Sequence, residues 1–104
     1  LIKMMVGNAL EIIPKLNFNW DLVFIDADKE NYSNYFDSVI ERLNKGGMII
    51  ADNVLWSGKV TRPTSKNDIE TKALKIFNEK VHADSRVSNV LLPVRDGMMI
   101  MIKK

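Results

Sequence analysis

The sequence predicts an α/β fold in which a mostly parallel sheet ends in an antiparallel hairpin. Short apolar runs that end in Asp or Asn alternate with amphipathic stretches, as in parallel strands joined by crossover helices. The last two apolar runs, residues 87–94 and 98–102, are separated by Arg95-Asp96-Gly97, a turn signal that favours a hairpin. No linker, repeat or low-complexity tract divides the 104 residues, so we expect one domain.

The first predicted element is a short apolar strand at Leu1–Val6, which Gly7 stops. Asn8 and Glu11 stand at capping-box spacing and indicate the start of a helix. Pro14 falls within that helix, where its ring would meet the carbonyl group four residues earlier. We therefore expect only a short or distorted helical turn here.

Two buried strands and a helix are predicted next. Asp21–Asp26 reads as a strand buried on both faces, because four consecutive apolar residues precede its acidic end. A helix is expected from about Asn31 to Leu43, before the stop at Gly46. Its apolar face comprises Tyr32, Phe36, Val39, Ile40 and Leu43. Residues 48–51 then form the second strand, which runs into Asp52-Asn53.

The last helix is predicted to start near Asn67, after a loop rich in Gly, Pro, Ser and Thr. Its expected buried face comprises Ile69, Ala73, Ile76, Phe77 and Val81. The two hairpin strands complete the sheet, and the methionines of the final strand are expected in the core.

Composition excludes several classes of function. The 46% hydrophobic and 27% charged residues are typical of a globular protein rather than a disordered one. The formal charge is +2 and no basic block stands out, so we expect no nucleic-acid partner. The apolar runs are too short to cross a bilayer and no signal peptide is evident, so we expect no membrane association and a cytoplasmic location.

The absence of cysteine excludes disulfides, thiolate zinc sites and a cysteine nucleophile. His82 is the only histidine, so a metal site would have to be built mainly from oxygen ligands. Any bound metal ion is therefore expected to be one that prefers oxygen ligands.

Oxygen ligands follow both buried strands. Asp26-Ala27-Asp28-Lys29 comes after the first strand, and Asp52-Asn53 comes after the second. Right-handed crossovers bring both ends to one edge of the sheet, where α/β proteins bind ligands. Asp26, Asp52 and Asn53 could then surround one hard cation such as Mg²⁺ or Ca²⁺. The alternative is that these residues only form turns or cap helices.

Three other side chains near these strand ends are candidates. A nearby cation disfavours an ammonium group, so Lys29 is a candidate general base; otherwise it is an exposed lysine at a helix start. Trp56 either forms a wall for a flat substrate or covers the edge of the core. Tyr32 is expected in the core, whereas the hydroxyl of Tyr35, beside the apolar face, could meet a ligand.

The segments FIDADKENY (24–32), ADNVLWSGKV (51–60) and LLPVRDGMMIMIKK (91–104) closely resemble the caffeoyl-CoA/catechol family of class I O-methyltransferases, which use S-adenosylmethionine. The resemblance covers essentially the whole chain and implies the C-terminal part of a Rossmann-like methyltransferase sheet. The family's glycine-rich cofactor loop and acidic ribose-binding residue are missing from this sequence. We therefore expect the chain to be the C-terminal half of a longer protein and to be inactive by itself.

The resemblance implies a metal-dependent methyl transfer. Asp26, Asp52 and Asn53 match the family's ligands for a divalent cation, with Mg²⁺ the first expectation and Ca²⁺ or Mn²⁺ the alternatives. Lys29 matches the position of the catalytic base in the catechol branch. The implied reaction moves a methyl group from S-adenosylmethionine to a phenolic hydroxyl of a catechol-like or caffeoyl-CoA-like substrate.

Other residues match the family's binding sites for cofactor and acceptor. Asp28 and Tyr35 match positions that contact S-adenosylmethionine, and Ala9 matches the turn that passes its adenine. Trp56 and Asp26 match the acceptor site. Because members of the family are typically dimers, the resemblance also implies a homodimer of the full-length protein.

Two other interpretations stay open at this point. A DxD strand end also occurs in metal-dependent phosphohydrolases such as the haloacid-dehalogenase-like enzymes, in which the first Asp is a nucleophile. That class calls for a Thr or similar hydroxyl soon after the DxD, whereas Lys29 follows here. The other interpretation is a non-catalytic fragment or assembly module that keeps this half of the sheet.

Overall fold

Four strands form one mixed sheet in the computed structural model, which describes residues 1–104. They are β1 (Trp20–Ile25), β2 (Leu43–Asp52), β3 (Val87–Leu92) and β4 (Met98–Lys103), in the spatial order β1-β2-β4-β3. β1 and β2 are parallel, and β4 is antiparallel to both of its neighbours. The predicted α/β class and hairpin are therefore confirmed, with β4 lying inside the sheet.

There are three α-helices: α1 (Ala9–Ile12) precedes β1, α2 (Tyr32–Ile40) connects β1 to β2, and α3 (Ile69–Ala83) connects β2 to β3. The side chain of Asn8 caps α1 by accepting a hydrogen bond from the amide of Leu10. Pro14 lies in the 3₁₀ turn that ends this element, so the expected short, distorted helix is confirmed. No helix is long and apolar enough to cross a membrane.

The core lies between one face of the sheet and helices α2 and α3. Alternate strand residues such as Ile49 and Met101 point into it and are fully buried. Tyr32 of α2 meets Phe77 of α3 edge-to-face, with 5.4 Å between ring centroids. This packing fixes the start of α2 against the sheet, next to the ends of β1 and β2.

Two strand predictions are wrong. Leu1–Val6 is exposed and forms no strand, because no other segment of the chain pairs with it. β1 is not buried on both faces, since Leu22 is 61% exposed and Phe24 is 57% exposed. β1 lies at the edge of the sheet, and the helices cover only one face of it.

The predicted end of the second helix is also wrong. α2 ends at Ile40, and Leu43 already belongs to β2, where it pairs with Trp20 of β1. Gly46 does not terminate a helix but adopts φ +81° within β2. The helix thus ends three residues earlier than its apolar periodicity indicated, because Leu43 pairs with β1 instead.

The buried face of α3 differs from the predicted one. Ile69 and Ile76 are 61% and 62% exposed, and Ala73 is half-buried. The inward residues are Thr71, Leu74, Phe77 and Val81. Phe77 and Val81 belong to both the predicted and the observed face, so the difference is a rotation that buries Thr71 and Leu74 in place of Ile69 and Ile76.

Candidate functional site

The ends of β1 and β2 meet at the buried ammonium group of Lys29. Ile25 pairs with Ala51 in the parallel register, which places Asp26 beside the end of β2. The Nζ atom of Lys29 lies 3.5 Å from Asp26 Oδ1 and 3.5 Å from Asn53 Oδ1. Lys29 is only 6% exposed, so the alternative of an exposed lysine at a helix start is wrong. Oxygen atoms from two strand ends therefore converge on one positive charge.

Tyr32 hydrogen-bonds to both Lys29 and the end of β2. Its hydroxyl oxygen accepts a hydrogen bond from Lys29 Nζ at 2.7 Å, and its hydroxyl donates to the backbone carbonyl of Asp52 at 2.8 Å. Burial, followed by the charges of Asp26 and Asp52, raises the pKa of Tyr32 and keeps the hydroxyl protonated. The prediction that Tyr32 is in the core is confirmed, but sequence reasoning missed its polar contacts. The available signal was its position three residues after Lys29.

The loop after β2 carries the other predicted residues. Asn53, Trp56 and Ser57 have positive φ angles of 62°, 51° and 55°, so the chain turns sharply here. Asp52 Oδ1 accepts a hydrogen bond of 2.8 Å from the amide of Asn53. The Trp56 ring packs against the core, and its centroid lies 5.5 Å from Lys29 Nζ. Trp56 therefore covers the edge of the core and also lies next to the Lys29 ammonium.

The hairpin turn between β3 and β4 reaches over this loop. Asp96 accepts hydrogen bonds through its carboxylate from the side-chain amide of Asn53 at 3.3 Å and from the backbone amide of Ser57. The backbone carbonyls of Asp96 and Gly97 accept from the amides of Leu55 and Val54 at 2.9 Å and 3.1 Å. Sequence reasoning assigned Asp96 only to the turn, because nothing local indicates a partner 43 positions away.

Residues predicted to bind a cofactor lie on the α1 side of β1. Ala9, Asp26 and Tyr35 line one mainly apolar cavity of about 210 Å³. The Tyr35 hydroxyl and the Asn31 amide both donate to the Asp28 carboxylate and hold the pKa of Asp28 below its usual range. Burial and this hydrogen bond raise the pKa of Tyr35 to about 12. Asp28 is thus kept ionised beside the cavity.

Two of the three predicted ligand residues, Asp26 and Asn53, present oxygen atoms to the same point, whereas Asp52 Oδ1 accepts a hydrogen bond from the amide of Asn53. No cluster of three or more His, Cys, Asp or Glu side chains is present; the predicted donors are two carboxylates and one amide. Asp26 Oδ1 and Asn53 Oδ1 already face a positive charge, the Lys29 ammonium. The Asp26 side chain is 50% exposed, which leaves access from solvent. Carboxylate and amide oxygens are the ligands that Mg²⁺, Mn²⁺ and Ca²⁺ use in proteins.

The whole chain, residues 1–104, matches a family model described as O-methyltransferase. Among curated relatives, the caffeoyl-CoA O-methyltransferase of Stellaria longipes is 35% identical over 107 residues, which cover 93% of this chain and 44% of that protein. The sequence match thus extends well beyond the two strand-end motifs.

Solved structures give the same family. An O-methyltransferase from Bacillus cereus in complex with SAH is 33% identical with a TM-score of 0.77, over 91% of this chain and 46% of that one. The SAH-bound methyltransferase PaMTH1 of Podospora anserina is 28% identical with a TM-score of 0.83, over 94% and 47% of the two chains. The chain spans less than half the length of each of these proteins.

Proposed function

The chain belongs to the O-methyltransferase family, and on that premise we propose that the protein transfers a methyl group from S-adenosylmethionine to a phenolic hydroxyl with the help of a divalent cation. The observation that carries the proposal is the convergence of Asp26 and Asn53, from two different strand ends, on Lys29. The SAH-bound relatives support the donor, and the caffeoyl-CoA O-methyltransferase relative supports a phenolic acceptor.

Asp26, Asp52 and Asn53 would hold the cation, with Mg²⁺ preferred to Ca²⁺ or Mn²⁺. When bound, such a cation supplies Lewis-acid chemistry that lowers the pKa of a hydroxyl group. Asp26 directly follows β1, Asp52 ends β2 and Asn53 begins the loop after it, so the parallel pairing of the two strands brings the three residues to one edge of the sheet. Donors held in fixed positions would align an acceptor oxygen for in-line attack.

Lys29 is proposed to take the proton of the acceptor hydroxyl. Its Nζ atom lies beside two of the proposed ligands and is held by Tyr32 and the backbone carbonyl of Ala27, which is 3.1 Å away. In this step Lys29 acts as the neutral amine: it takes the proton of the acceptor hydroxyl and becomes an ammonium while the acceptor oxygen forms its bond to the methyl group, and the sulfur of the donor keeps the electron pair of the broken bond. Charge on the donor sulfur is neutralised in the same step.

Trp56 and the cavity beside β1 are proposed to bind the two substrates. The Trp56 ring, packed on the core next to Lys29, offers a flat surface for an aromatic acceptor. Ala9, Asp26 and Tyr35 line the cavity proposed for S-adenosylmethionine. The ionised Asp28 adds negative charge on the side where the positive sulfonium compound would bind. We also propose that these residues belong to a single domain, that the protein forms a homodimer and that it is located in the cytoplasm.

A methyl-transfer assay tests the proposal. The full-length protein is incubated with labelled S-adenosylmethionine and a panel of catechols, with and without EDTA. We expect methylation of at least one catechol and a loss of roughly two orders of magnitude on chelation or in Asp52→Ala. Asp37→Ala is the matched control, because Asp37 is an exposed carboxylate whose partner is Lys80.

The alternatives predict different outcomes of that assay. Activity that survives chelation would remove the cation from the proposal. Hydrolysis of a phosphate ester without methyl transfer would favour the phosphohydrolase. A folded full-length protein with neither activity would favour a non-catalytic assembly module.

A further inference from the structure

We propose that Asp96 is a positioning residue that aims the side-chain oxygen of Asn53 at the cation site. This inference rests on the proposed function, in which Asn53 is a ligand. Asp96 touches neither the Lys29 ammonium nor the proposed cofactor cavity, and it acts through the amide of Asn53 and the backbone of its loop.

The orientation of the Asn53 amide follows from its two neighbours. On one side, Asp96 Oδ2 lies 3.3 Å from Asn53 Nδ2, and an ionised carboxylate only accepts hydrogen bonds. On the other side, Lys29 Nζ lies 3.5 Å from Asn53 Oδ1, and an ammonium only donates. The NH₂ group must therefore face Asp96, which leaves the oxygen facing Lys29. Without the carboxylate, one of these two constraints is lost.

The same turn also restrains the loop that carries Asn53. Asp96 accepts the amide of Ser57 through its carboxylate and the amide of Leu55 through its backbone carbonyl, 2.9 Å away. Asn53 and Ser57 both have positive φ angles; Asn adopts this conformation readily, whereas for Ser it is unfavourable unless surrounding contacts hold it. Asp96 thus fixes both the backbone turn and the rotation of the amide.

The substitution Asp96→Asn, which keeps the size of the side chain, separates the role of Asp96 in the loop backbone from its role in orienting the Asn53 amide. In Asp96→Asn, the remaining oxygen can still accept the amide of Ser57, but an NH₂ group now faces Asn53. Asn53 must turn its oxygen toward that NH₂ group and its own NH₂ group toward the cation site. The ligand becomes a donor that repels a cation, although the backbone of the loop keeps its hydrogen bonds.

Manganese binding to the purified protein tests the inference, because Mn²⁺ can be titrated by electron paramagnetic resonance without any turnover. We expect Asp96→Asn to weaken Mn²⁺ binding about 10- to 100-fold, the usual effect of losing a group that orients a ligand. Asn53→Asp alone should also weaken binding, since two carboxylates then face each other. The double variant Asp96→Asn/Asn53→Asp restores a donor–acceptor pair and should return binding to near the starting affinity.

A control and a second readout keep the inference distinct from the proposed function. Asp37→Asn removes an exposed carboxylate elsewhere and should leave Mn²⁺ binding unchanged. In the cation-free protein, nuclear magnetic resonance should show the Asn53 side-chain NH₂ signals shifted in Asp96→Asn and unshifted in Asp37→Asn. If the wild-type protein binds no Mn²⁺, the cation proposal fails, and these signals alone decide the role of Asp96.

Three results would overturn the inference: unchanged Mn²⁺ affinity in Asp96→Asn, no recovery in the double variant, or unshifted Asn53 signals. If Asp96→Asn does not fold, the double variant still decides, because every hydrogen bond of the turn is retained in it. A purely structural role for Asp96 predicts no recovery when Asn53 is changed as well.

Discussion

Lys29 shows how a charged side chain is accommodated next to the core. Burying an ammonium group is costly unless it is paired and hydrogen-bonded. Its Nζ atom has four oxygen neighbours, on Asp26, Ala27, Tyr32 and Asn53. Three of these lie within three residues of Lys29, and only Asn53 is distant in sequence. Most oxygen neighbours of Lys29 therefore come from nearby residues in the sequence, and the loop after β2 adds the last one, the side-chain oxygen of Asn53.

Tyr35 sets the ionisation of Asp28, and its removal has a predictable effect. In Tyr35→Phe the largest cause of the low pKa of Asp28 is gone, so that pKa should rise. A lowered carboxyl pKa stabilises the fold above the unfolded pKa, and this contribution is lost as pH falls through the folded pKa. In the variant this contribution should be smaller, and its loss should be complete at a higher pH.

Carboxyl ¹³C shifts followed against pH measure this change. The pKa of Asp84, which the Arg86 guanidinium lowers, is the internal control and should not move. An unchanged Asp28 titration in Tyr35→Phe would show that the hydroxyl does not hold the carboxylate in solution.

Sequence reasoning identified the residues that follow the strands but not those that orient them. Asp26 and Asn53 could be placed together because topology alone brings the ends of neighbouring parallel strands to one edge. Tyr32 and Asp96 could not be given their polar roles. Their partners depend on which rotation a helix adopts and on where a hairpin turn lands, and neither leaves a local pattern.

At the scale of elements, the four strands of the sheet and the hairpin turn were predicted more accurately than helix faces and ends, although the strand predicted at Leu1–Val6 does not form. The hairpin is marked by Arg95-Asp96-Gly97, and β4 follows it as expected. The inward face of α3 was misassigned because Ile69 and Ile76 fit an apolar stripe as well as Thr71 and Leu74 do. Tertiary packing chooses between such stripes, so periodicity alone does not settle the rotation of a helix.

Gly97 is predicted to be essential for the close approach of the hairpin turn to the loop after β2. A Cβ atom there would lie 2.5 Å from Leu55 Cγ, in addition to the strain of φ +83°. Gly46 is the matched control, because its φ is +81° and no atom lies within 4 Å of the position that a Cβ atom would take. Gly97→Ala should therefore lower the free energy of unfolding by about 1–3 kcal/mol more than Gly46→Ala.

Urea unfolding followed by circular dichroism gives both free energies. Equal losses in the two variants would mean that backbone strain alone matters and that the turn can move away from Leu55. A larger loss in Gly97→Ala would confirm that the turn and the loop are packed as the structure has them.

At the scale of the whole molecule, one side of the sheet is unprotected. Leu22 and Phe24 of β1 are exposed, and the outer edge of β1 has no partner strand. Unpaired strand edges and exposed apolar side chains are features that proteins usually cover. The cavity that contains Ala9 and Tyr35 lies against this same strand.

These 104 residues by themselves are predicted to bind S-adenosylmethionine poorly and to show no turnover. The cavity beside β1 is small, about 210 Å³, and is built on an edge strand without support on its outer side. Isothermal titration calorimetry of the 104-residue chain measures the affinity, with the full-length protein titrated in parallel. Tight, stoichiometric binding by the 104-residue chain would contradict the prediction.

The position of β4 between β2 and β3 has a consequence for the order of assembly during synthesis. β3 touches the rest of the sheet only through β4, which follows it in the chain. On the ribosome, β3 must wait without a partner until residues 98–103 have left the exit tunnel. The sheet therefore closes only after β4 has been synthesised, and until then β3 exposes an unpaired strand to neighbouring chains.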